Sequence, residues 1–419
     1  MQPPQHISPN SNSQSISGLE RPATAFLSYK REDAQQVKRL QQHLKARGVR
    51  AWRDITDLPL GGSNEHEIVQ AIQQETDAFV IYLTPECLQS DFIWDIEVRA
   101  ALQRWEQDQE YKIIPILQGV TFAQVQQNST TRGYRSLTEF NAVSLPDPDQ
   151  DIELYNEKLR EISQRILKAT YALRLRRVGA DHNYEPWIVL RTVDYVPPTP
   201  SLDLDLDWTE LYTSKKEPPP EKDWDELLLP ALEDVKKVLS AQTRSRRLHI
   251  DVQAYLPAPF TLGHAIPETS RFTLLLEGQK ETWSTEGATT DPTPLQKQTY
   301  SDHGDPRTAV VVITIERNIA QDVARNIPIL GLSYKQHLHF GLPGRIESAS
   351  QALAISHQIR HELRDLCDKG VSHIHLFASL PAALAVMIGY QFNALCPITL
   401  YHYKQTEGLY IPVCTLDKP

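Results

Sequence analysis

The sequence has 419 residues, of which 40% are hydrophobic and 23% are charged, and its formal net charge at pH 7 is −10. This length allows about two to three domains with real cores, and the composition excludes a wholly disordered or membrane-embedded protein. The negative charge argues against general binding to DNA or RNA backbones, although a local pocket can still attract a small anion.

The amino-terminal residues and the cysteines restrict the cellular setting. Residues 1–20 are rich in Ser, Asn, Gln and Pro, with neither a basic start nor an apolar run, so we predict a flexible tail and no signal peptide. The most apolar stretch, residues 376–392, is shorter than the roughly 20 residues of a membrane span and contains a proline. The four cysteines form no Cys-x-x-Cys pair, which predicts neither a zinc site nor a disulfide framework and fits a reducing cytoplasm.

Residues 23–170 alternate short apolar runs with helical patterns. Because strands that alternate with helices form parallel sheets covered on both faces, we predict a doubly wound α/β domain with five strands. The strands are predicted at 24–29, 49–52, 78–84, 112–117 and 141–145.

The helix after the third of these strands carries a carboxylate beside its apolar face. In "DFIWDIEVRAAL" (91–102), Trp94, Val98 and Ala101 recur at helical spacing. At about 100° per residue, Glu97 falls on the border of the buried face. On its own, such a glutamate is most often a solvated surface residue.

The periodicity weakens over residues 179–222, which contain the breaks "VPPTP" and "KKEPPPEK". We therefore predict an irregular connecting segment, in which only "LDLDLDW" (202–208) alternates like a strand with one buried face. Residues 223–242 predict a helix with Pro230 inside it.

Residues 248–419 again alternate strands and helices. No repeat of identical residues is visible, but we expect two strand-rich halves, before and after about residue 300. Strands are predicted at 248–256, 272–278, 309–315, 337–342, 372–379 and 397–403, and helices at roughly 318–327, 349–368 and 381–394.

Several common kinds of site have no support in the sequence. The chain has no Walker-type phosphate loop and no Gly-x-Gly-x-x-Gly after its first strand, so an ordinary ATPase or dinucleotide-binding fold is not indicated. His357 and His361 are four residues apart, as in some zinc sites, but a following Glu and an evident third ligand are missing. We predict that these histidines face solvent and that the protein holds no metal.

Three motifs together resemble the Toll/interleukin receptor (TIR) family. "AFLSYKRED" (25–33) is similar to its first signature, "RDITDLPLGG" (53–62) to its BB loop, and "VIYLTPECLQSDFIWDIEVRAAL" (80–102) to its third strand and the following helix. The resemblance covers about residues 21–175 and implies a flavodoxin-like five-stranded parallel sheet. In TIR enzymes a Glu on that helix is the catalytic residue for cleaving NAD⁺, and the matching residue here is Glu97.

The implied reaction suits a single carboxylate. Nicotinamide leaves NAD⁺ as a neutral molecule, so no general acid is required, and the remaining task is to stabilise the cationic charge that develops at C1′. The resemblance therefore implies that Glu97 is catalytic, with NAD⁺ as the substrate and no cofactor. Trp94 precedes Glu97 by three residues where many relatives have four, and we count Trp94 among the substrate-binding candidates.

Four further candidates lie near the predicted NAD⁺ site. Tyr29, Lys30 and Arg31 leave the first strand at its carboxyl end, where ligands bind in open α/β sheets. They either cradle the ribose or pyrophosphate or form an exposed turn, and the residues alone leave both possibilities open. Asp54 begins the BB-loop motif and either touches the substrate or caps the backbone of the loop.

The carboxyl-terminal part resembles the SAVED domain. The resemblance rests on "DWTELY" (207–212), "APFTLGHAI" (258–266), Trp283 and the run 373–403, and it covers about residues 185–419. It implies two CARF-like Rossmann-type halves that sense cyclic oligonucleotides. SAVED domains are fused to effectors of bacterial anti-phage signalling (CBASS), which implies a bacterial cytoplasmic protein.

Two strand–turn–helix units supply candidate activator contacts. Ser379 precedes a helix that is predicted to begin at Pro381, and the free N–H groups of a helix start attract phosphate. In the equivalent earlier turn, Arg317 offers charge to a phosphate. Asn318 offers hydrogen bonds to a base edge or serves only as the helix cap.

The sequence thus predicts a tail (1–20), a TIR domain (21–178), a connecting segment (179–222) and a SAVED sensor domain (185–419). We predict an NAD⁺ glycohydrolase that is activated by a cyclic oligonucleotide of the cyclic tri-adenylate type and that self-associates into an oligomer or filament. Neither a membrane nor a nucleic-acid polymer is expected as a partner. Two alternatives stay open, a non-catalytic TIR scaffold and an ADP-ribose cyclase.

Overall fold

The computed structural model describes residues 21–52, 64–195, 202–212, 217–278, 281–288, 295–342, 344–392 and 394–417. These residues form an α/β molecule with three sheets of five, five and six strands, which follow one another along the chain. Within the described ranges, none of the helices is both long enough and apolar enough to cross a membrane.

The first sheet confirms the predicted parallel five-stranded arrangement. Its strand order is β2-β1-β3-β4-β5, and every neighbouring pair is parallel. In this order the connections leave β1 and β3 in opposite directions, which opens a crevice at the carboxyl ends of these two strands. The strands are β1 (Thr24–Ser28), β2 (Arg50–Trp52), β3 (Ala78–Leu83), β4 (Lys112–Gln118) and β5 (Val143–Leu145).

Helices cover both faces of this sheet, so that every residue of β1 and β3 is buried. Two π-helical turns interrupt the regular helices, Ala71–Glu75 after α2 and Ile93–Val98 before α4. The helices are α1 (Ala34–Ala46), α2 (Asn64–Gln70), α3 (Pro85–Leu88), α4 (Arg99–Gln107), α5 (Phe122–Thr131) and α6 (Ile152–Arg177).

The second sheet changes the interpretation of residues 179–222, which we expected to be irregular. This segment supplies two neighbouring strands of the sheet, whose order is β7-β6-β8-β9-β10. The first strand was missed because its apolar run is too short to establish a period. The strands are β6 (Trp187–Arg191), β7 (Leu204–Asp207), β8 (Arg247–Gln253), β9 (Thr273–Glu277) and the antiparallel β10 (Thr282–Ser284).

Two helices accompany the second sheet, α7 (Leu229–Gln242) and α8 (Ala258–Ala265). A π-helical turn, Trp224–Leu228, precedes α7. Pro230 comes directly after this π-helical turn, inside an unbroken helical run from Glu221 to Gln242, as the sequence predicted. Proline has no N–H group to donate inside a helix, and the irregular turn directly precedes it.

The third sheet has the order β11-β13-β12-β14-β15-β16, in which β11 and β16 are antiparallel edge strands. Its helices are α9 (Ala320–Asn326), α10 (Ala349–Asp368) and α11 (Ala382–Tyr390). Its strands are β11 (Gln296–Ser301), β12 (Thr308–Thr314), β13 (Gln336–Gly341), β14 (His373–Ser379), β15 (Ile398–Lys404) and β16 (Leu409–Leu416).

The second and third sheets repeat one plan, which confirms the two expected halves. Apart from β11, both have the same strand order with an antiparallel last strand. In each half the third strand is followed by Leu-Pro-Ala (256–258 and 380–382) and a helix. These helices, α8 and α11, touch through Gly263 and Gly389, where a Cβ atom would lie 2.1 and 2.2 Å from a carbonyl oxygen of the other helix.

The first sheet is joined to the second by buried polar contacts as well as by the chain itself. The Arg47 guanidinium donates to the Asp234 carboxylate at 2.8 and 3.1 Å, and Arg174 Nε donates to Asp203 Oδ1 at 2.9 Å. The Ala23 N–H donates to the Asp203 carbonyl at 2.9 Å. A single hydrophobic cluster continues through this junction from β1 to β16.

Candidate functional site

Glu97 is a buried carboxylate at the carboxyl edge of the first sheet. Its residue is 6% exposed, and the Ser28 hydroxyl donates to Glu97 Oε2 at 2.5 Å. Ser28 is the last residue of β1 and is itself buried. The pair therefore lies at the crevice where the connections from β1 and β3 diverge, the usual ligand position in open α/β sheets.

The burial of Glu97 corrects the border position that the sequence predicted. The buried arc of the helix also includes Ile93, which lies about 100° from Trp94 on the same side as Glu97. With Ile93 in the core, the position of Glu97 falls inside the arc. The residue stands in the π-helical turn Ile93–Val98, and such turns are rare and occur frequently at functional sites.

A second polar group lies at the end of β3. Thr84 caps α3 by accepting a hydrogen bond from the Cys87 N–H at 3.2 Å, and its hydroxyl donates to Asp33 Oδ2 at 2.8 Å. Burial raises the pKa of the Asp33 carboxyl. Asp33 and Thr84 thus link the turn after β1 to the turn after β3, beside the Ser28–Glu97 pair.

Cys87 is close to the Glu97 carboxylate but is not a nucleophile. Burial, and next the negative charge of Glu97, raise the pKa of the Cys87 thiol to about 12, while the positive charge of Lys30 acts in the opposite direction. The side chain is therefore a neutral thiol at physiological pH.

The other candidates of this domain separate into three groups. Tyr29 and Lys30 are half-buried and Arg31 is exposed, directly after β1 as expected. Trp94 was wrongly placed among the substrate-binding residues, because it is fully buried and its Nε1 donates to the Cys87 carbonyl at 3.3 Å. Asp54 and the BB-loop motif lie outside the described residues.

Ser28, Asp33 and Thr84 were not identified as functional candidates from the sequence. Ser28 belongs to the quoted Phe-x-Ser-Tyr pattern, and the available signal was its place at the end of the first strand of a doubly wound sheet. Thr84 and Pro85 show the sequence of a helix cap followed by proline, which predicts a local turn but not its contact with Asp33.

The third sheet has a cavity of about 380 Å³ at the carboxyl ends of β12 and β13. Its lining includes the predicted Arg317 and Asn318, together with Thr314, His339 and Gln298. The Arg317 side chain is 63% exposed and pairs with Asp322 at 3.0 Å. The acidic Glu316 also lines the cavity, so an anionic ligand there would depend on the guanidinium of Arg317.

Asn318 and Ser379 occupy less open positions. Asn318 Oδ1 accepts a hydrogen bond from the Ala320 N–H at 3.0 Å, so this oxygen serves the start of α9. Ser379 lies opposite Thr314 in the sheet, and its carbonyl accepts from the N–H groups of Ile315 and Glu316 at 2.8 and 3.1 Å. Ser379 thus supports the turn that carries Arg317 and is not among the residues that line this cavity in the described structure.

The histidines do not form a metal centre in the part of the chain that the structure describes, where no group of three or more His, Cys, Asp or Glu side chains can hold an ion. His357 and His361 are both exposed on α10. Pro381 precedes the helix as its cap residue rather than beginning it, because α11 starts at Ala382.

Comparison with known families assigns both ends of the chain. Residues 25–152 match the family model described as the TIR domain. Residues 231–416 match the model of SAVED, described as the SMODS-associated and fused to various effectors sensor domain. No curated protein sequence matches the chain.

Solved structures extend the likeness to the whole fold. The Acinetobacter baumannii Cap4 SAVED/CARF-domain containing receptor with the cyclic trinucleotide 3'3'3'-cAAA is 15% identical, with 84% of each chain covered and a TM-score of 0.50. The same receptor with 2'3'3'-cAAA is 14% identical over 84% of each chain, with a TM-score of 0.49. The Moraxella osloensis Cap4 receptor is 16% identical over 93% of this chain and 86% of that one, with a TM-score of 0.45. At such identities only the fold is shared.

Proposed function

We propose that this chain, in which a TIR domain precedes a SAVED sensor domain, is an NAD⁺ glycohydrolase controlled by a cyclic oligonucleotide. Its substrate is NAD⁺, its products are nicotinamide and ADP-ribose, and it needs no cofactor. Depletion of NAD⁺ in the bacterial cytoplasm would serve CBASS anti-phage defence. The observation that carries the proposal is the buried carboxylate of Glu97, which accepts a hydrogen bond from Ser28 at the crevice of the first sheet.

The reaction requires an anion fixed near C1′ of the nicotinamide ribose. The N-glycosidic bond breaks, its electron pair stays on nicotinamide, and positive charge develops on the ribose. A carboxylate that is withdrawn from water stabilises this charge more than an exposed one, because the local dielectric constant is lower. Water then forms the new bond to C1′ and releases a proton.

Ser28 acts as a positioning residue in this proposal. Its hydroxyl donates to Glu97 Oε2 and so fixes the orientation of the carboxylate at the crevice. Glu97 is therefore oriented before the substrate arrives, and preorganisation is what makes an electrostatic contact effective in a transition state. Tyr29, Lys30 and Arg31 follow Ser28 directly, and we assign them to the ribose and pyrophosphate of NAD⁺.

The proposed activator is a cyclic tri-adenylate. The A. baumannii receptor of similar fold was solved with such a cyclic trinucleotide, which motivates the ring size and base. The cavity at Arg317 is lined by polar side chains, among which Arg317 is the cationic group available to a phosphate and Glu316 is an acidic neighbour. We further propose that bound activator brings copies of the chain together in an oligomer or filament and that neighbouring copies complete the NAD⁺ site.

The experiment is to incubate the purified full-length chain with NAD⁺ and a panel of cyclic di-, tri- and tetranucleotides, and to separate the products by chromatography. Nicotinamide release that depends on a cyclic tri-adenylate supports the proposal. Release without any activator contradicts the switch, and no release under any condition favours the non-catalytic scaffold. Cyclic ADP-ribose in place of ADP-ribose identifies the cyclase alternative, because an adenine nitrogen then attacks C1′ instead of water.

A further inference from the structure

The four cysteines fall into two chemically different pairs. Cys87 and Cys414 are buried in separate parts of the core, and burial raises the pKa of both thiols. Cys367 and Cys396 are half-buried, and their sulfur atoms are only 2.9 Å apart. The sequence predicted no disulfide framework, because these two residues are 29 positions apart and belong to no short motif.

The second pair is held together by the ends of two regular elements. Cys367 lies in the last turn of α10, and Cys396 comes two residues before β15. The Cys396 backbone N–H donates to Cys367 Sγ at 3.2 Å. Two sulfur atoms held side by side in this way are placed for thiol–disulfide exchange, in which the thiolate is the nucleophile.

We propose that Cys367 and Cys396 form a reversible intramolecular disulfide when a low-molecular-weight disulfide such as oxidised glutathione is present. The Cys367 thiolate attacks one sulfur of the small disulfide and releases one small thiol. The Cys396 thiolate then attacks Cys367 Sγ in the mixed disulfide and releases the second small thiol. Two protein thiols are oxidised and one small disulfide is reduced to two thiols.

A metal ion bound by both cysteines explains the short distance between their sulfur atoms less well than a disulfide does. A structural zinc site needs four ligands, and the described residues offer no group of three or more His, Cys, Asp or Glu side chains around any point. Two half-buried sulfurs already near bonding distance need only a small side-chain adjustment to form a disulfide.

The disulfide would enclose a segment that matters to the SAVED fold. The chain between the two cysteines contains β14 and α11. β14 ends at Ser379, which supports the turn of Arg317, and α11 packs on α8 through Gly389. A cross-link that closes this loop limits the conformations of the unfolded chain and therefore stabilises the folded one.

The test uses the full-length chain, equilibrated in glutathione buffers of increasing redox potential, then quenched with acid, denatured and alkylated so that the buried thiols also react. Titratable thiols should fall from four to half that number. Peptide mass spectrometry should find Cys367 joined to Cys396, and the midpoint of thermal unfolding should rise by several degrees in the oxidised sample. Addition of a dithiol reductant should restore all three readouts.

Matched variants distinguish the proposed pair from general oxidation. Cys396→Ser and Cys367→Ser should each abolish both the cross-link and the thermal shift, whereas Cys414→Ala should keep them. Three results would overturn the proposal. They are four thiols that persist at oxidising potentials, glutathione held on a single cysteine without a cross-link, and a disulfide that joins two chains.

Discussion

At the scale of single residues, the proposed site depends on the carboxylate of Glu97, which is buried and is held in one orientation. A carboxylate withdrawn from water is costly unless it is hydrogen-bonded, and the Ser28 hydroxyl supplies such a bond to Glu97. The sequence identified Glu97 through its motif, but it did not predict that the side chain is buried. Burial of Glu97 depends on whether the preceding turn, which contains Ile93, is also covered by the core. The sequence could not predict the partner, because Ser28 is 69 residues away in the chain.

The first residue-scale prediction is that Glu97→Gln abolishes most NAD⁺ cleavage. Loss of one preorganised electrostatic contact commonly lowers the rate by about 10²–10³, or roughly 3–4 kcal/mol. Glutamine keeps the volume and can still accept the hydrogen bond from Ser28, so the thermal midpoint should change little. Nicotinamide release and thermal stability, each with and without activator, are the measurements.

The matched control for Glu97 is Glu106→Gln, which neutralises an exposed glutamate farther along the same helical region. It should leave the rate and the thermal midpoint unchanged. A folded, activator-responsive Glu97→Gln protein with near-normal NAD⁺ cleavage would show that Glu97 is not the catalytic residue.

The second residue-scale prediction concerns activation rather than chemistry. Arg317→Ala should raise the concentration of cyclic tri-adenylate needed for half-maximal nicotinamide release by roughly 10- to 100-fold, the equivalent of one hydrogen bond between charged groups. Arg325→Ala is the control, because Arg325 pairs with the same Asp322 carboxylate and is not among the cavity-lining residues of the described structure. Equal responses of the two variants would remove Arg317 from the activator site.

At the scale of elements, the sequence predicted most strands but not the symmetry that relates them. Period and composition identify β12, β14 and α10, because each is long enough to repeat its pattern. They do not identify β6, which has five residues. The tripeptide Leu-Pro-Ala occurs at 256–258 and again at 380–382. Three residues are too few to indicate a repeat from the sequence, and their equivalence is visible only because each copy follows the corresponding strand of its sheet.

The contact between the two halves gives the first element-scale prediction. Gly389→Ala would place its Cβ atom 2.2 Å from the Phe260 carbonyl oxygen, so α8 and α11 would have to separate. Overpacking of this kind commonly destabilises a protein by about 1–3 kcal/mol. Denaturant titration measures the change, and Gly341→Ala is the control because its nearest neighbour, Thr314 Oγ1, is 3.4 Å away. Equal stabilities of the two variants would contradict the close helix contact.

One face of the third sheet collects four histidines from β13 and β14 beneath α9. His339, His373 and His375 are hydrogen-bonded to neutral partners, as in the 2.9 Å contact between His375 Nδ1 and Tyr401 Oη. The buried Nε2 of His337 has no hydrogen-bond partner among the described residues. Burial lowers the pKa of all four imidazoles, and lowers the pKa of His375 from its usual 6.5 to about 4. The four are His337, His339, His373 and His375.

The second element-scale prediction is a loss of stability in mild acid. Because the folded-state pKa of His375 is below the unfolded value, its neutral form contributes fully above pH 6.5, and that contribution decreases as the pH falls from 6.5 towards 4. The free energy of unfolding of the wild type should therefore decrease more steeply over this range than that of His375→Gln. Denaturant titrations at several pH values test this, with the exposed His361→Gln as control. Parallel curves for wild type and His375→Gln would contradict it.

At the scale of the whole molecule, one face of the first sheet belongs to a hydrophobic cluster that continues into the second and third sheets, whereas the other face has a cluster of its own. The helix α6 begins against the first sheet and ends with Arg174 paired to Asp203, beside the second sheet. The predicted boundary near residue 178 is the end of this helix, but the packing does not stop there. The sequence could not reveal this, because one of the buried ion pairs of the junction joins Arg47 to Asp234 across 187 residues.

That contact gives the final prediction. Arg47 and Asp234 are 0% and 1% exposed, and Gln164 also donates to Asp234 at 3.1 Å. The neighbouring His43 does not supply a positive charge to the Asp234 carboxylate. Burial, and next the positive charge of Arg47, lower the pKa of the His43 imidazole to about 3, so it is neutral. Asp234→Asn therefore leaves Arg47 buried without its counter-ion, which commonly costs about 3–5 kcal/mol.

If the two domains share one core, calorimetry of Asp234→Asn should show a single unfolding transition whose midpoint is several degrees below that of the wild type. NAD⁺ cleavage and activator binding should then be lost together, along the same melting curve. Arg47→Met combined with Asp234→Leu should recover much of the stability, because both buried charges are removed and Arg160, which lies 3.7 Å from Asp234, is 43% exposed and can be hydrated. Two separate transitions, with only one sensitive to Asp234, would show that the domains unfold independently. A single transition that moves with Asp234 would show that the two domains unfold as one cooperative unit.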